Sequence, residues 1–409
     1  MGNNLFYESQ NPEMKFIWSN ERTATLYSIS NSIFMLEKKI KEGACPLIVE
    51  ISYYCDLSIQ DMEEISQLLT KIILDVLCEE VFFEFKRGKI SEENAVPSFP
   101  KNENICLFSG GIDSTLGILE SKKKFGSVLG LYVGHQDTGR ITQKVMKMKE
   151  GILATNNIPL IKFLAPKMGK DYSQLRGFLY VLYASILSNF VYAKKIIISE
   201  CGATMYQPKF APLDTITYTT HPYVLRTSKR ISEIILKRNL DLIIPFEDFT
   251  KTEMIKMIPF DDILSKTHSC ITGRWGQNCG TCYACIARII GSINNELSFD
   301  YFKNKVFDKD EDKILNSILN FCFNFQLNRG IIDFWSFHSI ENFGQEELFE
   351  RVCDDTFLSL KKLERENKLK ENYRIILKEY IKKREKELNL REEKLKELKL
   401  APDFNKKVL

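Results

Sequence analysis

Residues 107–115 read Leu-Phe-Ser-Gly-Gly-Ile-Asp-Ser-Thr, a short apolar run, then paired glycines, then a helical pattern. That order turns a strand directly into a helix. Consecutive Gly110 and Gly111 let the backbone turn tightly and approach a ligand with no Cβ in the way. The first amides of the following helix then face an anion. Ser109 and Ser114 add hydroxyl donors, and Asp113 is the loop's one carboxylate, suited to a divalent metal beside phosphates. Leu107, Phe108, Ser109, Gly110, Gly111, Asp113, Ser114 and Thr115 are therefore the candidate contacts of a phosphate-sized anion. A lysine-bearing G-x-x-x-x-G-K-[ST] loop is absent here. The plainer alternative is a Gly-Gly turn with a serine cap; strand, glycines, hydroxyls and acid falling in the right order argue against it.

From Ile105 onward, apolar runs at Ile105–Phe108, Val128–Val133, Leu160–Leu164, Ile196–Ser199 and Leu242–Pro245 alternate with helical stretches. This spacing predicts an α/β fold, a parallel sheet with helices on both faces. Ligands of such sheets sit at the carboxyl ends of the strands, where the strand order reverses. The 109–114 loop lies at one such end; Gly134, Glu200 and Phe246 follow others. Residues 1–100 read as an α+β extension, with a strand at Leu47–Tyr53, a capping box at Ser58 and Asp61, and a helix stripe of Met62, Ile65, Leu69, Ile72, Ile73 and Val76. A second strand at Val81–Phe85 closes it, and Ser91–Asn104, with Pro97 and Pro100, reads as a linker. Residues 101–298 form the sheet domain and 299–409 a charged helical extension. In that extension Phe307–Lys313 is expected to open a solvated helix. Lys361–Leu400 is expected to form a helix packed by one stripe through Leu369, Tyr373, Ile376 and Tyr380 and stopped by Pro402.

The 409 residues carry 57 basic and 54 acidic side chains, a net charge of +3, which argues for neither nucleic acid nor an anionic membrane as partner. No stretch has the apolar length of a membrane span, Met1–Gln10 lacks the regions of a signal peptide, and Phe6 breaks the myristoylation pattern. A cytoplasmic protein is expected. Of 11 cysteines, four cluster; the others sit among apolar neighbours, as buried thiols of a reducing compartment do.

The cluster is Cys270, Cys279, Cys282 and Cys285, spaced C-x8-C-x2-C-x2-C. Four thiolates close a tetrahedral Zn2+ against water and make it structural; an iron–sulfur cluster takes the same four ligands. Gly273, Gly276 and Gly280 supply the tight backbone of such a knuckle.

The loop and the knuckle, in this order, resemble the 7-cyano-7-deazaguanine synthase family known as QueC. The loop matches the family's S-G-G-x-D-S sequence, the cysteines match C-x8-C-G-x-C-x-x-C-x-x-R through Arg288, and Pro245-Phe246 with Thr250-Lys251-Thr252-Glu253-Met254-Ile255 resembles its proline and T-K-x-E-I stretch. The resemblance covers about residues 103–296. It implies a Rossmann-like sheet of the PP-loop ATP pyrophosphatase (adenine nucleotide alpha hydrolase-like) type, with ATP, Mg2+ on Asp113 and a zinc knuckle. It also implies a reaction in which the carboxylate of 7-carboxy-7-deazaguanine attacks the α-phosphorus of ATP and an amine then displaces AMP.

Residue chemistry agrees with that reaction. Amides at Gly110, Gly111 and Ser114 would stabilise leaving pyrophosphate, and Lys251 would be a further phosphate cation. Arg176 would pair a carboxylate or phosphate in a fork, a helix-surface ion pair being its alternative. Val133 and Gly134 would line the nucleotide. Glu200, then Asp214, are candidate acceptors for the N–H edge of a deazaguanine base. Where the family has Y-G-Q-R-H, this chain reads Tyr132-Val133-Gly134-His135-Gln136-Asp137; only the glycine is clearly retained, so ammonia handling and nitrile formation do not follow from the resemblance, and His135 is a candidate base with a non-catalytic loop histidine as the alternative. About a hundred extra residues at each end resemble the QueC-like members of bacterial antiphage operons, the QatC type among them. That resemblance implies delivery of the activated deazaguanine to a polypeptide amine on a protein partner; a homodimer is compatible with it. A free synthase using ammonia, or a nucleotide-binding subunit without turnover, are the alternatives.

Overall fold

A computed structural model describes residues 12–44, 46–90, 98–135, 150–165, 173–206, 219–258, 262–270, 277–308, 312–327, 336–337, 340–341 and 345–400. Helix α1 (Glu21–Lys41) precedes a parallel unit of strand β1 (Ile48–Tyr53), helix α2 (Ile59–Leu77) and strand β2 (Phe82–Arg87), with Ile48 opposite Phe82. The expected capping box is present: the Asp61 amide donates to Ser58 Oγ at 3.0 Å and the Ser58 amide donates back to the Asp61 carboxylate at 2.9 Å. Ile65, Leu69, Ile72, Ile73 and Val76 are buried, as their helical period requires.

Each of the five apolar runs forms a strand: β3 (Asn104–Leu107), β4 (Leu129–His135), β5 (Leu160–Ala165), β6 (Lys195–Ile197) and β7 (Asp241–Ile243). They pair in parallel in the order β5-β4-β3-β6-β7, with Ile105 opposite both Leu129 and Ile196. Chain order runs outward from β3 to β5 and then returns to the other side of β3. The reversal, and with it the crevice of a doubly wound sheet, falls between β3 and β6. Helices α3 (Ile112–Phe125), α4 (Arg176–Val191), α5 (Gly202–Met205), α6 (Pro222–Leu236), α7 (Lys251–Lys256), α8 (Asp262–Lys266) and α9 (Tyr283–Asn294) complete this part.

Helix α4 carries apolar residues all round, and 12 of its residues are buried. A helix without a polar face must be covered on every side, and α4 packs against α1 and α6 as well as against β3, β4 and β6. The N-terminal segment is therefore part of the core. Glu37 of α1, fully buried, accepts from Ser173 Oγ at 2.6 Å and from the Gln174 amide, just ahead of α4. Helix α2 grips α6 through Tyr223 Oη to Asp75 (2.7 Å), Lys237 to Asp61 (2.6 Å) and a two-pronged Arg230–Glu64 pair (2.6 and 3.0 Å). Within the expected linker, residues 91–97 lie outside the described residues; Phe99 packs edge-on against Phe16.

After α9 come a 3-10 turn at Val306–Asp308, α10 (Lys313–Leu327), the short antiparallel pair β8 (Ser336–Phe337) and β9 (Ile340–Glu341), α11 (Glu346–Arg365) and α12 (Glu371–Leu400). Two expectations need correction. The Phe307–Lys313 run does lead into a helix, Asp312 accepting the Ile314 and Leu315 amides at the start of α10, but Phe307 is buried in the 3-10 turn and α10 buries Leu315, Ile318 and Leu319 rather than standing solvated. The stretch from Lys361 to Leu400 is two helices, broken where Asn367 takes φ +55°. Leu369, Tyr373 and Tyr380 are buried as expected, with Leu377 in place of Ile376. No helix among the described residues is long and apolar enough to cross a membrane.

Candidate active site and metal centre

The loop after β3 turns at Gly110, whose φ of +75° lies in the left-handed region that favours glycine, and Gly111 begins α3. Ser114 Oγ accepts the amides of Ser109 and Gly110, each at 3.1 Å. Ser109 Oγ accepts the Gly111 amide at 3.3 Å, and Ser269 Oγ accepts the Ile112 amide at 3.1 Å. Of the expected amide donors Gly110 and Gly111 thus meet hydroxyl oxygens, and the Ser109 and Ile112 amides do so beside them. Ser269 escaped sequence reasoning; its only signal was adjacency to Cys270. The His268 amide donates to Gly110 C=O at 3.1 Å, so the knuckle's leading segment lies along the loop. Phe108 and Thr115, expected to contact nucleotide, are core side chains, and only their backbone remains available to the loop. Leu107 packs partly buried against the core.

Asp113, Glu200 and Lys251 meet in one cluster. They follow β3, β6 and β7, three neighbouring strands, so their approach is a consequence of the sheet order. Lys251 donates to both carboxylate oxygens of Asp113, and the Glu200 carboxyl is hydrogen-bonded to Asp113. Burial pushes Asp113 up, but the Lys251 ammonium and the bonds from Glu200 and Lys251 win and hold it below the ordinary carboxylate value. Glu200 is driven well above that value by burial and by the adjacent Asp113 charge. For Lys251, burial opposes the charge while Asp113, Cys201 and Glu200 favour it more strongly, so its pKa is raised. The Asp113 carboxylate and the Lys251 ammonium therefore favour each other's charged form, while the same carboxylate and burial bias Glu200 toward its neutral form.

The three candidate residues thus engage one another: Lys251 and Glu200 both face Asp113. The hard oxygens of Asp113 and Glu200, within 4.8 Å of one another and of the Cys201 thiol, suit a divalent cation once the ammonium moves aside. Arg176 opens α4 with its guanidinium over the Tyr180 ring, 5.9 Å from the centroid. Val133 and Gly134 end β4 beside the loop, and the Tyr132 ring folds so closely over Gly134 that a Cβ there would lie 2.3 Å from it. Asp214, Gln136, Asp137, Gly273 and Gly276 lie outside the described residues, as does the side chain of His135.

The four cysteines converge: Cys270 and Cys282 Sγ are 3.9 Å apart, as are Cys279 and Cys285 Sγ, and all four lie within 4.8 Å of one another. A Zn–S bond of about 2.3 Å in a tetrahedron gives sulfur edges of about 3.8 Å. The four sulfurs therefore fit one ion; an iron–sulfur cluster spreads its thiolates over several irons. Amides of Cys279, Thr281 and Cys282 donate to the sulfurs at 3.3 to 3.4 Å. Arg288, fully buried, donates to Leu264 C=O (2.6 Å), Thr267 Oγ1 (3.1 Å), Thr267 C=O (3.3 Å) and Asn278 Oδ1 (3.1 Å). It ties together the segments leading into the first two cysteines.

A parallel sheet with a glycine-turn loop at its switch point and a four-cysteine knuckle is an α/β fold of the PP-loop type. Residues 171–295 match the family model described as Queuosine biosynthesis protein QueC, a span from just ahead of α4 through α9 that includes all four cysteines and lies downstream of the loop. Over those residues, less than a third of the chain, the protein is similar to the QueC family. Comparison with curated proteins gave no match.

Proposed function

We propose that the chain is an AMP-forming ATP-dependent ligase acting on the carboxylate of 7-carboxy-7-deazaguanine. The observation that carries this is the convergence of Asp113, Glu200 and Lys251 with the Ser109–Ser114 loop at the switch point of the sheet. In this reading the substrate carboxylate oxygen bonds to the α-phosphorus of ATP as the bond to the bridging oxygen breaks, and pyrophosphate leaves. An amine nitrogen then bonds to the acyl carbon, loses a proton, and AMP departs. The loop amides, prearranged around hydroxyl oxygens, would stabilise the leaving pyrophosphate without reorganising. Lys251 would turn from Asp113 to the phosphates. Asp113, with Glu200 adjacent, would hold Mg2+, which screens phosphate charge from the incoming carboxylate.

The acceptor is taken to be an amine on a protein partner, in an antiphage setting. Supporting this, the N-terminal segment and α11 are folded onto the sheet domain and enlarge its surface well beyond what a small-molecule synthase requires. Intact-mass measurement of co-expressed neighbouring polypeptides tests it. One covalent deazaguanine increment on a partner is expected. Rapid formation of free nitrile from the acid and ammonia, with every partner at its original mass, would instead identify a free 7-cyano-7-deazaguanine synthase.

A further inference from the structure

We propose that Asp355, on α11 of the C-terminal extension, is a positioning residue that fixes the direction of Lys251; this rests on Lys251 being the phosphate-facing cation. Helix α7 has six residues, too few to hold its own first turn against the cost of nucleation. Its geometry is set from outside. Thr250, its N-cap, accepts the Glu253 amide at 3.2 Å and spends its single hydroxyl proton on Asp355 Oδ2 at 2.6 Å. Glu253 closes the capping box through the Thr250 amide at 2.8 Å and pairs with Arg351 Nε, also from α11, at 2.9 Å. Asp355 C=O accepts from Asn294 of α9 at 2.8 Å, and α9 presses close to α7 at Gly291, where a Cβ would lie 3.3 Å from Lys251 C=O. Lys251 is the first residue after this clamped cap. Its ammonium reaches Asp113 from the end of this clamped cap, so α11 holds the starting point of a group in the sheet's crevice.

The test reads Lys251 itself. Wild-type protein and the Asp355→Ala, Thr250→Ala and Asp355→Asn variants are treated with a limiting amine-reactive ester, and lysine labelling is followed by peptide mass spectrometry, with exposed Lys123 as the internal reference. Asp355→Ala and Thr250→Ala should each raise Lys251 labelling about tenfold, a loss of pairing equal to roughly 1.4 kcal/mol. Asp355→Asn, which keeps an acceptor for Thr250, should stay near wild type. Unchanged Lys251 labelling in folded Asp355→Ala overturns the proposal, and where Asp355→Ala does not fold, Asp355→Leu is read in its place by the same criterion. Absence of adenylating activity in the wild type would defeat the ligase reading but leave this labelling result intact.

Discussion

The Lys251 ammonium binds both carboxylate oxygens of Asp113 across 138 residues of sequence. One residue begins the helix after β3 and the other the helix after β7, with Glu200 after the intervening β6. Three charges or near-charges are packed where the sheet reverses direction. Burial and the neighbouring groups together shift the pKa of each.

Removal of the cation exposes that dependence. Lys251→Ala leaves Asp113 buried beside Glu200 without compensation and should cost about 3–5 kcal/mol at pH 7.5. Without the ammonium, Asp113 takes up a proton more easily, so the deficit should shrink at pH 5. Urea unfolding of both proteins at the two pH values measures this.

A glycine contrast tests the packing of α4. A Cβ on Gly177 would lie 1.4 Å from Thr219 C=O, a backbone atom that cannot rotate away, whereas a Cβ on Gly151 meets nothing within 4 Å. Gly177→Ala should destabilise by about 3 kcal/mol. Gly151→Ala, in a helical turn, should be neutral or stabilising by up to about 1 kcal/mol. Thermal melts of the two variants give the comparison.

The knuckle should hold one zinc per chain, lost with cooperative unfolding of the knuckle on Cys282→Ser. Arg288 touches no metal, yet Arg288→Met releases Leu264, Thr267 and Asn278 from one anchor. It should weaken zinc binding about 10–100-fold, read by competition with a chromophoric chelator.

Asp355 also gives a pH signature. Burial raises its pKa from 3.8 to about 6, against bonds from Thr250 and Thr252, with Glu253 and Asp354 adding to the rise. The folded state therefore binds the extra proton between those values. Stability from this group is full below about 3.8 and is lost as pH rises through about 6, by about 2–3 kcal/mol. In Asp355→Asn the dependence of the urea midpoint on pH should flatten across that interval.

Much of this was legible in residue order. The strands from Ile105 to Leu242, the Ser58 capping box, the glycine turn and the four cysteines are local patterns, and each forms as its pattern requires. Asp113, Glu200 and Lys251 could be nominated singly from their places after strands, but their mutual engagement depends on β3, β6 and β7 being neighbours, which no local pattern encodes. Ser269 and Asp355 act through tertiary contact alone. The break at Asn367 was hidden because Leu369 and Tyr373 continue an apparent stripe across it.

Substrate-dependent exchange of labelled pyrophosphate into ATP tests the central claim most directly. With 7-carboxy-7-deazaguanine and Mg2+ the wild type should exchange label, and Asp113→Ala should reduce exchange to background. Equal exchange by Asp113→Ala and wild type, or no exchange by a zinc-loaded, folded wild type, would contradict the account.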